Sequence, residues 1–380
     1  MSVLALDLTY KPYGGSYSQI INLFKFIDEY KAEKFIVYST KKNYEEFKKF
    51  KSAKVNFKVI KFASFSKFTR VFWVQILLPF YLIKDNVSLL FSPGNYSPIF
   101  SFTKKIQLIC TIGPFEKNFY KGFSCFQKIN LMLNKYIIIF SSFTSSHVIF
   151  ESEYTRNLFK TKYSFDASKS SVIYLGKDSY FYPKKNITEP VVSAYKDQKY
   201  LLSVSHLYPY KNIETLLKSF RNLKDKKIIL LIAGLIHTKS YHQKLVKLSN
   251  DLSISNRVIF MGGVTKSELR DLYSSCTILV FSSPFENFAF TLIEAMSCGA
   301  AIVAANSTAM PETCGSAALY FNPYSSDELS EILNKLLQDD SLIKKYKLKS
   351  VKRSSEINDY REVNQKTSKI INNILESSSK

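Results

Sequence analysis

Short apolar runs recur along this chain, separated by stretches in which apolar positions return every three or four residues. Residues 3–7, 34–39, 55–62, 87–93, 106–112, 146–152 and 170–176 read as strands, and helical spacing follows at 17–26 and again from 153. Runs of this kind, without strict alternation, belong to strands covered on both faces, as in parallel sheets. The segment "FYPKKNITEPVVSAYKDQ" (181–198) interrupts the pattern with two prolines and mixed polarity. The alternation then restarts. Strands are expected at 200–205, 227–234, 257–263, 277–283, 300–305 and 317–323, and helices at 212–222, 241–250 and 266–274. Two further helices, at 326–338 and 360–375, end the chain. Strand–helix alternation in two blocks predicts an α/β protein with two doubly wound, Rossmann-like halves. The expected division is 1–188, 189–355 and a terminal helical segment, 356–380, returning to the first half.

Length and composition agree with that picture. The chain has 380 residues, too many for one compact core, with 46% apolar and 22% charged residues, a globular balance. Lysine and arginine number 53 against 31 acidic residues, a formal charge of +22. Nucleic acid, an anionic membrane surface, an anionic small molecule or simply a lysine-rich proteome would each account for this. No block of five like charges forms a basic tail. The five cysteines are scattered without a C-x-x-C pair, which fits reduced thiols in a cytoplasmic protein. No signal peptide is read at the start, and the apolar stretch 71–83 is too short to span a bilayer. Two segments, 62–84 and 120–140, mix aromatic, aliphatic and basic residues. They read either as core helices or as amphipathic helices resting on an anionic membrane.

The most unusual local chemistry is "PFENFAFTLIEAMSCG" (284–299). Glu286 falls between a strand and the helix that Gly299 terminates, the position at which open α/β sheets bind ligands. The backbone N–H groups of Phe288, Ala289 and Phe290 would be donors at that helix start, suited to an anion. Glu294 lies about two turns in, on a helix with no charged face. A carboxylate buried there needs a partner. A ligand's hydroxyls, such as a ribose diol, or a lysine or arginine from a neighbouring helix would both serve.

The Glu-x7-Glu stretch resembles the signature of the retaining glycosyltransferases of family 4, which have the GT-B fold. "YLLSVSHLYPYKNIETLLKSF" (200–220), "RVIFMGGVTKSELRDLYSSC" (257–276) and "MPETCGSAALYFNP" (310–323) resemble the same family, as do "SHVIFESEYTRNLF" and "SVIYLGKDSYFYP". The resemblance runs from about residue 146 to 340; before it, only "GGS" at 14–16 is recognisable. It implies two Rossmann-like domains facing each other across a cleft, and a metal-independent transferase that uses a nucleoside diphosphate sugar and no cofactor. The absence of an Asp-x-Asp motif and of a histidine cluster fits this. By resemblance, Lys211 grips the donor diphosphate. His206, standing where the family has an arginine, assists when protonated. Glu286 contacts the donor sugar and Glu294 the ribose hydroxyls, while Asn287 replaces a smaller residue beside the sugar. Gly14 and Gly15, placed in the loop after the first strand, would let the backbone approach the diphosphate. A histidine usual in the first domain is missing; Gly113 and Pro114 stand there, and Glu116 reads as a solvated loop residue. The expected acceptor is a hydroxyl of a glycan or lipid-linked glycan in surface polysaccharide synthesis, reached by peripheral contact with an anionic membrane. Rival readings are a sugar-nucleotide epimerase of the same architecture and a basic nucleic-acid-binding protein, the latter without a motif to support it.

Overall fold

A computed structural model of the chain describes residues 2–12, 14–121, 123–195 and 197–377. It divides into two compact units. The first comprises residues up to Gly176 together with the helix Tyr360–Glu376; the second is Lys177–Asp359.

The first unit holds seven strands: β1 (Val3–Leu8), β2 (Lys34–Ser39), β3 (Val55–Val59), β4 (Leu89–Ser92), β5 (Lys104–Ile109), β6 (His147–Phe150) and β7 (Ser170–Val172). Their order is β3-β2-β1-β4-β5-β6-β7, every pairing parallel. The second holds six, β8 (Tyr200–Val204), β9 (Ile229–Ala233), β10 (Val258–Gly262), β11 (Ile278–Phe281), β12 (Ile302–Ala305) and β13 (Ala318–Phe321), in the order β10-β9-β8-β11-β12-β13, also parallel. Strands such as β9 and β11 are buried along their whole length because helices cover both faces of the sheet. In the second unit alternate strand residues separate into two cores, Leu202, Leu231 and Leu279 on one face and Leu201, Leu230 and Val280 on the other.

The doubly wound architecture matches the expectation in both halves. The boundaries differ from those read in the sequence. The second unit starts at Lys177, not 189, and ends at Asp359, not 355. The prolines of 181–198 read as a linker, but the segment is part of the second unit's packing. Phe181 and Val192 are buried in its core, and Lys184 reaches the fully buried Asp271 at 2.9 Å. The terminal helix buries Val363, Ile371 and Leu375 in the first unit's core, and Asn364 accepts from the Tyr30 hydroxyl at 2.8 Å. A helix at Asp340–Ser355 escaped the sequence reading. Its sequence, "DSLIKKYKLKSVKRSS", is so rich in lysine that its apolar positions form no clear stripe.

Candidate active site

In the second unit the strand order reverses between β8 and β11, so the loops that follow these two strands leave the sheet side by side in opposite directions. This switch point is where an open α/β sheet leaves room for a ligand. His206 and Lys211 lie on the first loop, Glu286 to Ala289 on the second, and Phe290 begins the helix Phe290–Ser297. Residues brought together by two separate sequence motifs thus share one location.

The first loop is held in a fixed shape. Pro209–Lys211 form a tight turn, and Asn212 turns the chain with φ 57°, a left-handed conformation that asparagine tolerates. Its side chain donates to Pro323 O at 2.6 Å and to Ser282 O at 3.4 Å. The Ser282 hydroxyl donates to Lys211 O at 3.0 Å, tying the two loops to each other. Gly234, after β9, cannot carry a side chain: with φ +151°, a Cβ would lie 1.9 Å from Ser205 O. The backbones of the loops after β8 and β9 therefore run in contact.

Lys211 Nζ stands 2.5 Å from Glu286 Oε1, and both side chains are largely enclosed, with 14% and 16% exposure. Burial works against the lysine's charge, but Glu286, aided by Tyr210, outweighs it and holds the ammonium above its ordinary pKa. The sequence reading gave Lys211 to a diphosphate and Glu286 to a sugar; in the ligand-free protein they hold each other. Glu286 N donates to Thr308 Oγ1 at 3.2 Å, so the loop after β12 also braces the carboxylate's backbone. Asn287 and Ala289 are buried, Phe288 and Phe290 half-buried. Beside these groups the hydroxyls of Ser205 and Ser283, at the carboxyl ends of β8 and β11, are enclosed and have no hydrogen-bond partner among the described residues. Such orphaned donors in a native site call for a ligand or water to complete them.

Among the described residues Glu294 forms no ion pair with a lysine or arginine, and Lys266 acts on it only through space. Its one hydrogen-bond partner among the described residues is the Tyr273 hydroxyl, 3.3 Å from Oε2. Burial lifts its pKa to about 7, with Tyr273 pulling the other way. Of the two partners open in the sequence, the ion pair is absent. Tyr273, on the helix Lys266–Ser275, was missed, because nothing in its local pattern marks a buried tyrosine as a carboxylate's neighbour.

His206 accepts at Nδ1 from Leu235 N at 3.3 Å, which leaves the ring proton on Nε2. Burial, then His237 and Lys211, lower its pKa, which favours the neutral ring. The cationic helper read from the sequence is therefore a neutral N–H donor in the ligand-free state. His237 stacks on Tyr208 at 5.0 Å, and Tyr208 on Tyr210 at 5.6 Å, a row of rings the sequence reading did not pick out.

In the first unit, Gly14 and Gly15 do not lie in a loop; they open the helix Gly14–Lys25, where the first-turn N–H groups lack intrahelical partners whatever the residue. Gly113 sits in the buried turn Gly113–Phe115, and the Phe119 ring would be 2.6 Å from a Cβ there. Phenylalanine thus fills the space in which the expected histidine would stand. Glu116 is half-buried, not solvated, and accepts from the Tyr154 hydroxyl at 2.8 Å. Among the described residues no three His, Cys, Asp or Glu side chains gather as a metal-binding group.

Residues 184–353 match the family model "Glycosyl transferases group 1". The serotype-specific mannosyltransferase WbdA of Escherichia coli is 28% identical over 161 residues, covering 41% of this chain and 20% of WbdA. The O-antigen chain mannosyltransferase RfbU of Salmonella typhimurium is 27% identical over 207 residues, 54% of each chain. The chain thus spans about a fifth of the first relative's length and about half of the second's. Among solved structures, HepE of Anabaena in complex with UDP superposes with a TM-score of 0.76 over 98% of this chain and 99% of its own, at 18% identity, a likeness of fold.

Proposed function

We propose that the chain is a retaining glycosyltransferase on a GT-B fold, a reading supported by the match of residues 184–353 to the glycosyl transferases group 1 model. It moves a hexose from a nucleoside diphosphate sugar to a hydroxyl of a glycan or lipid-linked glycan. The names of its relatives favour mannose as the sugar and surface polysaccharide as the product. The observation that carries the reading is the Lys211–Glu286 pair at the switch point.

On donor binding the diphosphate draws Lys211 away from Glu286. The ammonium meets the negative charge that grows on the leaving phosphate, and the freed carboxylate accepts hydroxyls of the donor sugar. His206 adds a neutral Nε2–H toward the phosphates, and Glu294 accepts the two ribose hydroxyls. The bond between the anomeric carbon and the phosphate oxygen breaks with its electron pair going to the phosphate. The acceptor oxygen bonds to the same face of that carbon, and its proton passes to the departing phosphate oxygen. No cofactor or metal takes part in this scheme. The enzyme works in the cytoplasm, at the inner face of an anionic membrane where a lipid-linked acceptor is presented.

Titration calorimetry against UDP-, GDP- and ADP-linked hexoses, followed by product analysis, tests the proposal. One donor should bind. Lys211→Ala should retain the fold and lose about 100- to 1,000-fold in turnover, the usual scale for removing one group that stabilises developing charge. Undiminished turnover would remove Lys211 from the mechanism, and failure of every sugar nucleotide to bind would remove the function.

A further inference from the structure

We propose that one outer face of the first unit is a bilayer-docking surface, built from two helical segments and the loop seated between them, that takes anionic phospholipid. The inference rests on the reading of a membrane-presented acceptor and deepens it by naming the surface and its partner.

The first helical segment comprises Lys67–Phe72, a wider π-helical turn at Trp73–Leu77 and Leu78–Lys84. The second is the helix Cys125–Phe143. Their inner residues, Trp73, Val74, Leu78 and Leu82 from one and Ile138 and Ile139 from the other, enter the same core cluster against β1, β2, β4, β5 and β6. Both segments therefore cover the same side of the sheet. Their outer residues are apolar as well. On the longer helix Phe126, Ile129, Leu133, Tyr136, Phe140 and Phe143 are each 45–63% exposed, at spacings of three and four residues that place them in one stripe. On the other segment Phe68, Phe72, Ile76, Phe80 and Ile83, with Phe65 just before it, are 47–75% exposed.

The loop joins the two stripes. Gln75, in the π turn, donates to Ser97 O at 3.1 Å and accepts from Ile99 N at 2.9 Å. Lys105 Nζ donates to Pro98 O, to Ile99 O at 2.9 Å and to Thr144 Oγ1 at 2.9 Å, at the end of the longer helix. This loop carries Phe100 and Phe102, which are 82% and 94% exposed. Two phenylalanines pushed into water on a loop tied to both helical segments add to two exposed apolar stripes, a concentration of exposed apolar residues that soluble monomers rarely show.

Charge selects the occupant. Residues 61–84 expose Lys61, Lys67 and Lys84, 98–105 expose Lys104, and 117–143 expose Lys117, Lys121 and Lys128, while Lys105 and Arg70 turn inward; none of the three segments contains an acidic residue. A second copy docking by the same face would set these cations against each other. Anionic headgroups around inserted rings satisfy both features at once. Among the described residues no helix is long and apolar enough to cross a membrane, so the contact is peripheral.

The test is co-sedimentation of the full chain with phosphatidylcholine vesicles, with and without phosphatidylglycerol, at low and physiological salt. Binding should require phosphatidylglycerol, weaken with salt, and fall at least about tenfold in the double variant Phe100→Ser/Phe102→Ser. Those side chains are nearly free of contacts, so the melting temperature should not move, and calorimetric binding of the donor in the second unit should be unchanged. Loss of donor binding with intact vesicle binding would sink the transferase reading alone. Background sedimentation with phosphatidylglycerol, equal binding to uncharged vesicles, or an unaffected double variant would overturn the docking surface. So would a dimer in analytical ultracentrifugation that the same double variant abolishes.

Discussion

The two units share an all-parallel, doubly wound sheet yet differ in whether they expose phenylalanines. Among the described residues every phenylalanine that stands well exposed lies in the first unit. In the second, Phe181, Phe220, Phe281 and Phe321 are buried. The ends of the strands differ too. After β5 the Phe119 ring fills the space that a side chain at Gly113 would need, whereas after β8 and β11 the second unit leaves two enclosed hydroxyls without a partner among the described residues, beside a buried ion pair. On the reading proposed above, one scaffold faces an extended apolar partner and the other a small, charged one. Topology fixes where a site can form, and the residues at its rim decide what it takes.

The contrast is broken most severely by attacking the second unit's buried charge. Asp271 is wholly enclosed and receives Lys184 at 2.9 Å, Thr188 N at 2.9 Å and Glu189 N at 3.1 Å. Burial opposes its ionised form, but Lys184 and the two backbone donors prevail and hold its pKa below the ordinary value. A depressed carboxylate contributes stability that is present above its unfolded pKa and lost as pH falls through the folded one, so the clamp weakens only in acid. Asp271→Ala strands a lysine and two N–H groups, and should cost about 3–5 kcal/mol, read as a lower denaturation midpoint for the second unit. A loss below about 1 kcal/mol would show the segment 181–189 to be an ordinary linker after all, as its prolines suggested.

A smaller effect sharpens the role of Glu294. Its pKa of about 7 means that the free protein holds it half-protonated near neutrality. Ribose hydroxyls donate to the ionised form, so donor binding should expel a proton. Affinity for a sugar nucleotide, which has no phosphate titrating in this range, should rise about tenfold from pH 6 to pH 8 and then level off. Glu294→Gln should bind more weakly and without that slope. A wild-type affinity flat with pH would mean that the carboxylate does not meet the ligand.

How much of this was legible in the sequence follows from the range of the forces involved. Strands β2 and β8 declared themselves through local apolar runs, and Lys211 and Glu286 through their position between strand and helix. Their contact was not readable, because it depends on β8 and β11 being neighbours, a fact of topology and not of spacing. The Tyr273–Glu294 bond and the packing of Phe119 on Gly113 are of the same kind. The stripes at 62–84 and 120–140 were ambiguous for a physical reason: each helix has an apolar inner face and an apolar outer one, and sequence alone cannot say which is covered. The lysine-rich helix Asp340–Ser355 was missed because its charged residues interrupt the periodicity.

The smallest expected effect falls on His206, and it separates a neutral donor from a cation. With Nδ1 occupied by Leu235 N and the pKa lowered by burial, His237 and Lys211, protonation would have to overcome a lost hydrogen bond and two nearby positive or polarisable groups. A ring that offers only Nε2–H can be replaced by an amide with a donor at a similar reach. His206→Gln should therefore change donor affinity at pH 8 by less than about threefold, within the range of one neutral hydrogen bond. It should also leave the pH slope assigned to Glu294 intact. If the histidine instead acts as a cation induced by the diphosphate, the glutamine variant loses a charge-assisted bond, worth about 1.5–3 kcal/mol, and affinity falls by tenfold or more. Calorimetry on the wild type and His206→Gln in buffers of different ionisation enthalpy distinguishes the two: proton uptake at His206 on binding would appear as a buffer-dependent heat that the variant lacks.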